Sequence, residues 1–157
     1  MKIKLLDFGG MKPDRAHYND AGADVFSLED FIINPGETVK VPLGIGLEIP
    51  DGYVGFVFPK SGLSSRGLVS ELAPIDSGYR GEIHAILTNN SNEKIMINKN
   101  KKIGQLVILP VVLTEFTENL DNSRGTGAFG STGLWWICED WQKITLQMDI
   151  NNYKKIL

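Results

Sequence analysis

The 157-residue sequence holds one cysteine, Cys138, and two histidines, His17 and His84. A lone cysteine excludes an internal disulfide, so the expected setting is a reducing compartment, the cytoplasm. Two histidines far apart in sequence and one cysteine complete no zinc pattern, which argues against a structural zinc or a His-ligated metal. No apolar run approaches the roughly 18 residues of a membrane span. The opening MKIKLLDFGGMKPDR offers no signal-peptide core, so no membrane association is expected. Positive charge is not in excess either: 16 Lys and Arg face 19 Asp and Glu, a formal net charge of -3. Recognition of a nucleic-acid backbone by charge is therefore not expected. Internal repeats, domain linkers, a G-x-x-x-x-G-K-[ST] phosphate loop and, before residue 134, any long amphipathic helix are all missing.

Glycine is abundant, at 17 residues, and 42% of the chain is hydrophobic. Short apolar runs alternate with Gly, Pro, Asn and Asp. IKLLDF, TVKVPL, GIGLEIP, GYVGFVFP, GEIHAILTNN and IGQLVILPVVL read as strands, TVKVPL and GIGLEIP by alternation in period two, the last nearly continuous and so expected to be buried on both faces. Turn signals recur about every eight to twelve residues, the rhythm of an all-β sandwich or barrel. SGLSSRGLV is the one place for a short helix. In the tail, Leu134, Ile137, Trp141, Ile144 and Met148 fall at helical spacing, while Ile144, Leu146, Met148 and Ile150 alternate as in a strand. A turn or short helix through the tryptophans followed by a strand is the expectation there.

Five stretches carry residues suited to chemistry, each with a plainer alternative. NDAGADVF puts Asp24 in a Gly/Ala-rich turn, where it ends the turn or meets a hard cation such as Mg²⁺. FPKSGLSSRG leads a strand into a helix start. There Ser61 and Gly62 offer N–H groups beside Lys60 and Arg66, an anion site or an ordinary serine cap. APIDSGYRGEI reads as a tight hairpin turn in which Asp76 caps its own backbone or acts as a general base, with the Tyr79 ring next to it. KKIGQLVI places Gln105 in an apolar strand, where a buried amide needs partners or faces a polar ligand. RGTGAFGSTG contains G-x-G-x-x-G through Gly125, Gly127 and Gly130, but without the strand before it and the βαβ unit around it that dinucleotide binding needs. A flexible linker explains those glycines but not Arg124 or Phe129.

In this order and with this spacing the five stretches resemble the five motifs of the trimeric dUTPase family, over roughly residues 2 to 133. The resemblance implies a distorted jelly-roll-like β fold with at most one short helix, a homotrimer, and Mg²⁺-dependent hydrolysis of dUTP to dUMP and pyrophosphate. Each active site would gather motifs from all three subunits. By position, Asp76 would activate the water that attacks the α-phosphorus, and Tyr79 would stack under the deoxyribose and exclude a 2′-hydroxyl. The backbone from Ser70 to Ile75 would read the uracil edge. Lys60, Ser61, Gly62 and Gln105 would hold phosphate oxygens, and Asp24 would meet Mg²⁺ through water. Arg124 and Ser131 would clamp the γ-phosphate side, with Phe129 over the uracil and Gly130 beside it as a further substrate contact.

The expected organisation is a catalytic domain over 1–133, including a glycine-rich lid at 124–133, and an extension over 134–157. That extension carries Trp135, Trp136 and Trp141 and is expected to pack on the domain, a neighbouring subunit or a protein partner. Lys60 stands where the family usually has Arg, which keeps the charge but not the bidentate fork. Ser70, Ala73 and Ala128 also depart from the family pattern. A dCTP deaminase-like enzyme and a nucleotide-binding regulatory protein of the same fold are the alternatives.

Overall fold

The computed structural model describes residues 1–118. Among them the turn-punctuated apolar runs form ten short strands and one helical turn. These are β1 (Lys4–Asp7), β2 (Ala23–Phe26), β3 (Phe31–Ile33), β4 (Thr38–Pro42), β5 (Ile45–Glu48), β6 (Tyr53–Pro59), α1 (Ser61–Ser64), β7 (Leu68–Glu71), β8 (His84–Asn89), β9 (Ile95–Ile97) and β10 (Lys102–Pro110). Every pairing is antiparallel, in four small sheets: β1-β5, β2-β10-β6, β3-β9 and β4-β8-β7. Met1–Thr114 forms one compact unit. No helix among the described residues is long and apolar enough to cross a membrane.

The core is built mainly from branched side chains, which suit a pleated, half-buried surface. Val25, Ile33, Val41, Leu43, Ile45, Leu87 and Ile103 are all essentially inaccessible. Each such side chain contributes about 1.5–3 kcal/mol by leaving water. One polar residue joins them. Asn89, also fully buried, donates from Nδ2 to the Ile33 and Glu93 carbonyls at 2.9 and 2.8 Å. Its Oδ1 accepts from the Ser91 N–H and hydroxyl at 2.9 and 2.7 Å. This amide therefore uses its full bonding capacity to tie the end of β8 to β3 and to the turn before β9.

The six expected strands all form, and α1 is the one expected helix. Three local readings change. Asp24 is not in a turn: it lies within β2, whose four residues are all buried. GIGLEIP does not alternate, because Ile45, Gly46 and Leu47 are buried in succession. The run from Ile103 to Leu113 is not buried on both faces. β2 pairs with β10 only over Lys102–Leu106, and beyond it Leu109, Val111, Val112 and Leu113 are exposed in the single chain. The strands β3, β7 and β9, of three or four residues, were too short for periodicity to register.

Arg124, Phe129, Gly130 and Ser131, the lid expectation and the alternatives for the tail lie outside the described residues.

Candidate active site

The first group of chemistry-bearing residues sits on the sheet β2-β10-β6. Register places Gln105 of β10 opposite Asp24 of β2 on one side and Phe58 of β6 on the other. Chain direction then delivers Lys60, Ser61 and Gly62 just past the end of β6. β10 carries one extra residue between Lys102 and Gly104, a bulge of the kind that re-aims a side chain. Asp24 is only 5% exposed, yet both its oxygens are engaged. Oδ1 receives Lys60 Nζ at 2.8 Å and Oδ2 receives Lys102 Nζ at 2.7 Å. Burial alone would raise its pKa. The hydrogen bonds and charges of Lys102 and Lys60 outweigh that and hold the carboxyl below its usual range. The Lys102 ammonium is shifted upward, chiefly by its bond to Asp24.

Gln105 lies flat against Gly22. A Cβ at residue 22 would sit 2.8 Å from Gln105 Cβ and 3.2 Å from its Oε1, so only glycine leaves room for the amide there. The serine-cap alternative for Ser61 is not what forms. The N-cap is Lys60, with no side-chain capping bond, so the Ser61 and Gly62 N–H groups remain at an open first turn.

The second group sits on the loop between β7 and β8. Strand register from Leu68↔Asn89 to Glu71↔Ile86 makes 72–83 the connecting loop of a hairpin. Ile75 docks this loop on β6: its N–H donates to the Gly55 carbonyl at 2.8 Å and its carbonyl accepts from the Gly55 N–H at 3.0 Å. A turn follows at once, closed by the Tyr79 N–H on the Asp76 carbonyl at 3.1 Å. Asp76 thus closes the turn with its backbone. Its carboxylate is exposed and, among the described residues, takes part in no hydrogen bond or ion pair. The capping role, the default for such an Asp, is vacant. Tyr79 is 46% exposed and its hydroxyl donates to the Glu82 carbonyl at 2.9 Å. Ser70 spends its hydroxyl on the Val57 carbonyl at 3.0 Å.

Asp24, Lys60, Ser61, Gly62 and Gln105 are therefore brought together, and so are Ser70, Ile75, Asp76 and Tyr79. No hydrogen bond or ion pair among the described residues joins the two groups within one chain. Sequence reasoning passed over Lys102, whose only signal was its place two residues before the glycine of KKIGQLVI. It also passed over Ser64, whose buried hydroxyl has no hydrogen-bond partner among the described residues.

For a metal, the described residues offer no group of three or more His, Cys, Asp or Glu side chains. Mg²⁺ does not need one, since it retains water and binds through one or two carboxylates plus substrate phosphates. With both oxygens already bonded to ammonium groups, Asp24 suits a contact through water and not direct coordination.

The dUTPase family profile matches residues 10–133. A deoxyuridine 5′-triphosphate nucleotidohydrolase of Clostridium tetani is 43% identical over 139 residues, which cover 85% of this chain and 96% of that protein. Its counterpart in Clostridium acetobutylicum is 41% identical over 140 residues, covering 85% and 97%. Among solved structures, a Staphylococcus bacteriophage 80alpha dUTPase with dUpNHpp is 30% identical and superposes with a TM-score of 0.75, over 85% of this chain and 99% of that one. A dUTPase from phage phi11 of S. aureus, described with a structural Mg(II) ion, is 28% identical with a TM-score of 0.71, over 78% and 98%. A profile match across most of the chain, near-full-length relatives and the all-β architecture agree: the chain belongs to the dUTPase family.

Proposed function

We propose that the chain hydrolyses dUTP to dUMP and pyrophosphate, with Asp76 as the general base. One observation carries this reading. The Asp76 carboxylate stands on a turn fixed by the Ile75–Gly55 pair, yet no group among the described residues bonds to it. A carboxylate held in place and left unpaired is suited to take a proton from a positioned water. The water oxygen bonds to the α-phosphorus, its proton goes to Asp76, and the bond from the α-phosphorus to the bridging oxygen breaks. Pyrophosphate leaves with that electron pair.

The first group supplies the phosphate end. Lys60 and Lys102, aligned by Asp24, face a polyphosphate as point charges, with the Ser61 and Gly62 N–H groups and the Gln105 amide as neutral donors. Bound to the triphosphate, Mg²⁺ would neutralise phosphate charge, with Asp24 holding one of its waters. The second group supplies the nucleoside end. Tyr79 packs against the deoxyribose and leaves no room for a 2′-hydroxyl. Both Ile75 backbone groups are committed to Gly55, so reading the uracil edge falls to the backbone at Leu72 and Ala73, outside the β7 ladder. The homotrimer implied by the resemblance to the dUTPase family places the loop of one copy facing the lysines of another, in keeping with the absence, among the described residues, of any bond that joins the two groups within one chain. A reducing, cytoplasmic setting belongs to the same reading and rests on the lone cysteine.

Residues 124–133 act in this reading as a lid, with Arg124 and Ser131 on the terminal phosphates and Phe129 and Gly130 over the base. Base–aromatic stacking contributes about 1–3 kcal/mol. Phe129→Ala should accordingly lower kcat/KM for dUTP about tenfold, read by steady-state kinetics. An unchanged value would remove Phe129 from the site. In the same reading residues 134–157, with Trp135, Trp136 and Trp141, are an extension that packs on the domain, a neighbouring subunit or a protein partner.

The function is tested by incubating the protein with dUTP, dCTP, dTTP and UTP in Mg²⁺ buffer. Pyrophosphate and dUMP from dUTP alone is the expected result. Formation of dUTP from dCTP would make the chain a deaminase, and tight dUTP binding without turnover would make it a binding protein.

A further inference from the structure

We infer that Glu82 is a positioning residue for sugar selection, setting the place of the Tyr79 ring through two bonds of its own. This rests on the reading of Tyr79 given above. Glu82 has the unusual task of accepting at both ends. Its Oε1 takes the Gly44 N–H at 2.9 Å in a partly buried contact, and its carbonyl takes the Tyr79 hydroxyl at 2.9 Å. Gly44, in the link between β4 and β5, is itself held firmly. Its carbonyl accepts from the Phe8 and Gly10 N–H groups at 3.0 and 2.9 Å. On either side of it, the Leu43 N–H donates to the Ile83 carbonyl at 3.1 Å and the Ile83 N–H donates to the Ile45 carbonyl at 2.8 Å. The β4–β5 region thus holds Glu82 at two points, the carboxylate through the Gly44 N–H and the Glu82–Ile83 peptide through the Ile83 N–H on Ile45, and the Glu82 carbonyl in that peptide fixes the exposed tyrosine ring.

Two neighbours complete the setting. His84 approaches from the same strand entry, with Nδ1 3.2 Å from the Glu82 carbonyl and Nε2 3.9 Å from Oε2. Gly81 provides the floor under the ring, because a Cβ there would lie 2.6 Å from Tyr79 Cζ and 3.0 Å from Cε2.

A ring that excludes a 2′-hydroxyl does so by contact, and misplacement by about 1 Å undoes such positioning. Removing the carboxylate leaves the Gly44 N–H unpaired and releases the one side-chain tie that, among the described residues, joins this part of the loop to the β4–β5 link, so that the Ile83 backbone bonds hold the loop end alone. The ring then tolerates the ribonucleotide.

The test is the ratio of kcat/KM for dUTP to that for UTP in the full-length protein with Mg²⁺. Glu82→Ala should lower the ratio about tenfold, while Glu82→Gln, which keeps an acceptor for Gly44, should hold it within about twofold. Tyr79→Phe removes a single exposed hydroxyl, so it keeps the test independent of folding, and it should lower the ratio about threefold. Tyr79→Ala serves as the reference for complete loss. A wild-type ratio in Glu82→Ala or in Tyr79→Phe, with the ratio lost in Tyr79→Ala, would overturn the inference. An equal loss in Glu82→Gln and Glu82→Ala would do the same. A wild-type ratio in Tyr79→Ala would instead remove Tyr79 from the sugar pocket, and the inference with it.

Discussion

Asp76→Asn should lower kcat for dUTP by about 10²–10⁴, the scale of losing a general base. The change is nearly isosteric and falls on an exposed carboxylate that bonds to nothing among the described residues. Neither the turn closed by the Tyr79 N–H nor the Ile75–Gly55 pair depends on that side chain. Stability should therefore hold to within about 0.5 kcal/mol, as for ordinary surface substitutions. Binding of a non-hydrolysable dUTP analogue should survive for the same reason. Steady-state kinetics, thermal unfolding and analogue titration separate the possibilities. A variant with normal kcat at neutral pH would assign Asp76 to the scaffold, and one that loses both kcat and folding would do so as well.

Asp24→Ala should destabilise the fold by about 2–3 kcal/mol at pH 7. Breaking a buried pair by removing one partner costs about 3–5 kcal/mol. Here the remaining lysines are 31% and 44% exposed, and water recovers part of that loss. The pH dependence follows from the lowered Asp24 pKa. A carboxyl depressed in the folded state contributes stability in full above its unfolded value, 3.8, and loses it as pH falls through the folded value. In Mg²⁺-free urea titrations the gap between wild type and Asp24→Ala should thus be widest near neutral pH and narrow below about pH 4. A gap that stays constant into acid would mean that the ion pairs are not what Asp24 contributes.

Much of this architecture was legible because apolar runs of about six or more residues between Gly, Pro and Asn signals show a strand pattern of their own, as TVKVPL does in β4. The short turn of α1 was readable from a serine and glycine following a proline. What escaped was set by tertiary contacts. Asp24 looked like a turn residue because Gly22 and Ala23 precede it. Gly22 is there to let Gln105 lie close, and β2 is held by β10. Asn89, in a segment that reads as strand followed by turn, gave no local hint that it would saturate an amide in the core.

The candidate site was legible in its residue types but not in its grouping. Lys60 was readable as a phosphate cation from the segment leading into α1, yet its partner Asp24 is 36 residues away, and Lys102 is 42 residues from Lys60. No spacing rule links them. Glu82 was missed because its role depends on Gly44, whose proximity arises only when the β7–β8 loop folds over the β4–β5 link.

In the proposed homotrimer, one working site needs the Asp76 loop of one copy and the lysine group of another. The most direct measurement mixes two inactive variants, Asp76→Asn and the double variant Lys60→Met/Lys102→Met, after unfolding and joint refolding so that subunits exchange. If the site is shared, mixed oligomers contain some sites with both wild-type halves, and dUTP hydrolysis returns to a substantial fraction of the wild-type rate. If each chain builds its site alone, every site in the mixture carries one defect or the other, and activity stays at the level of the separately refolded variants.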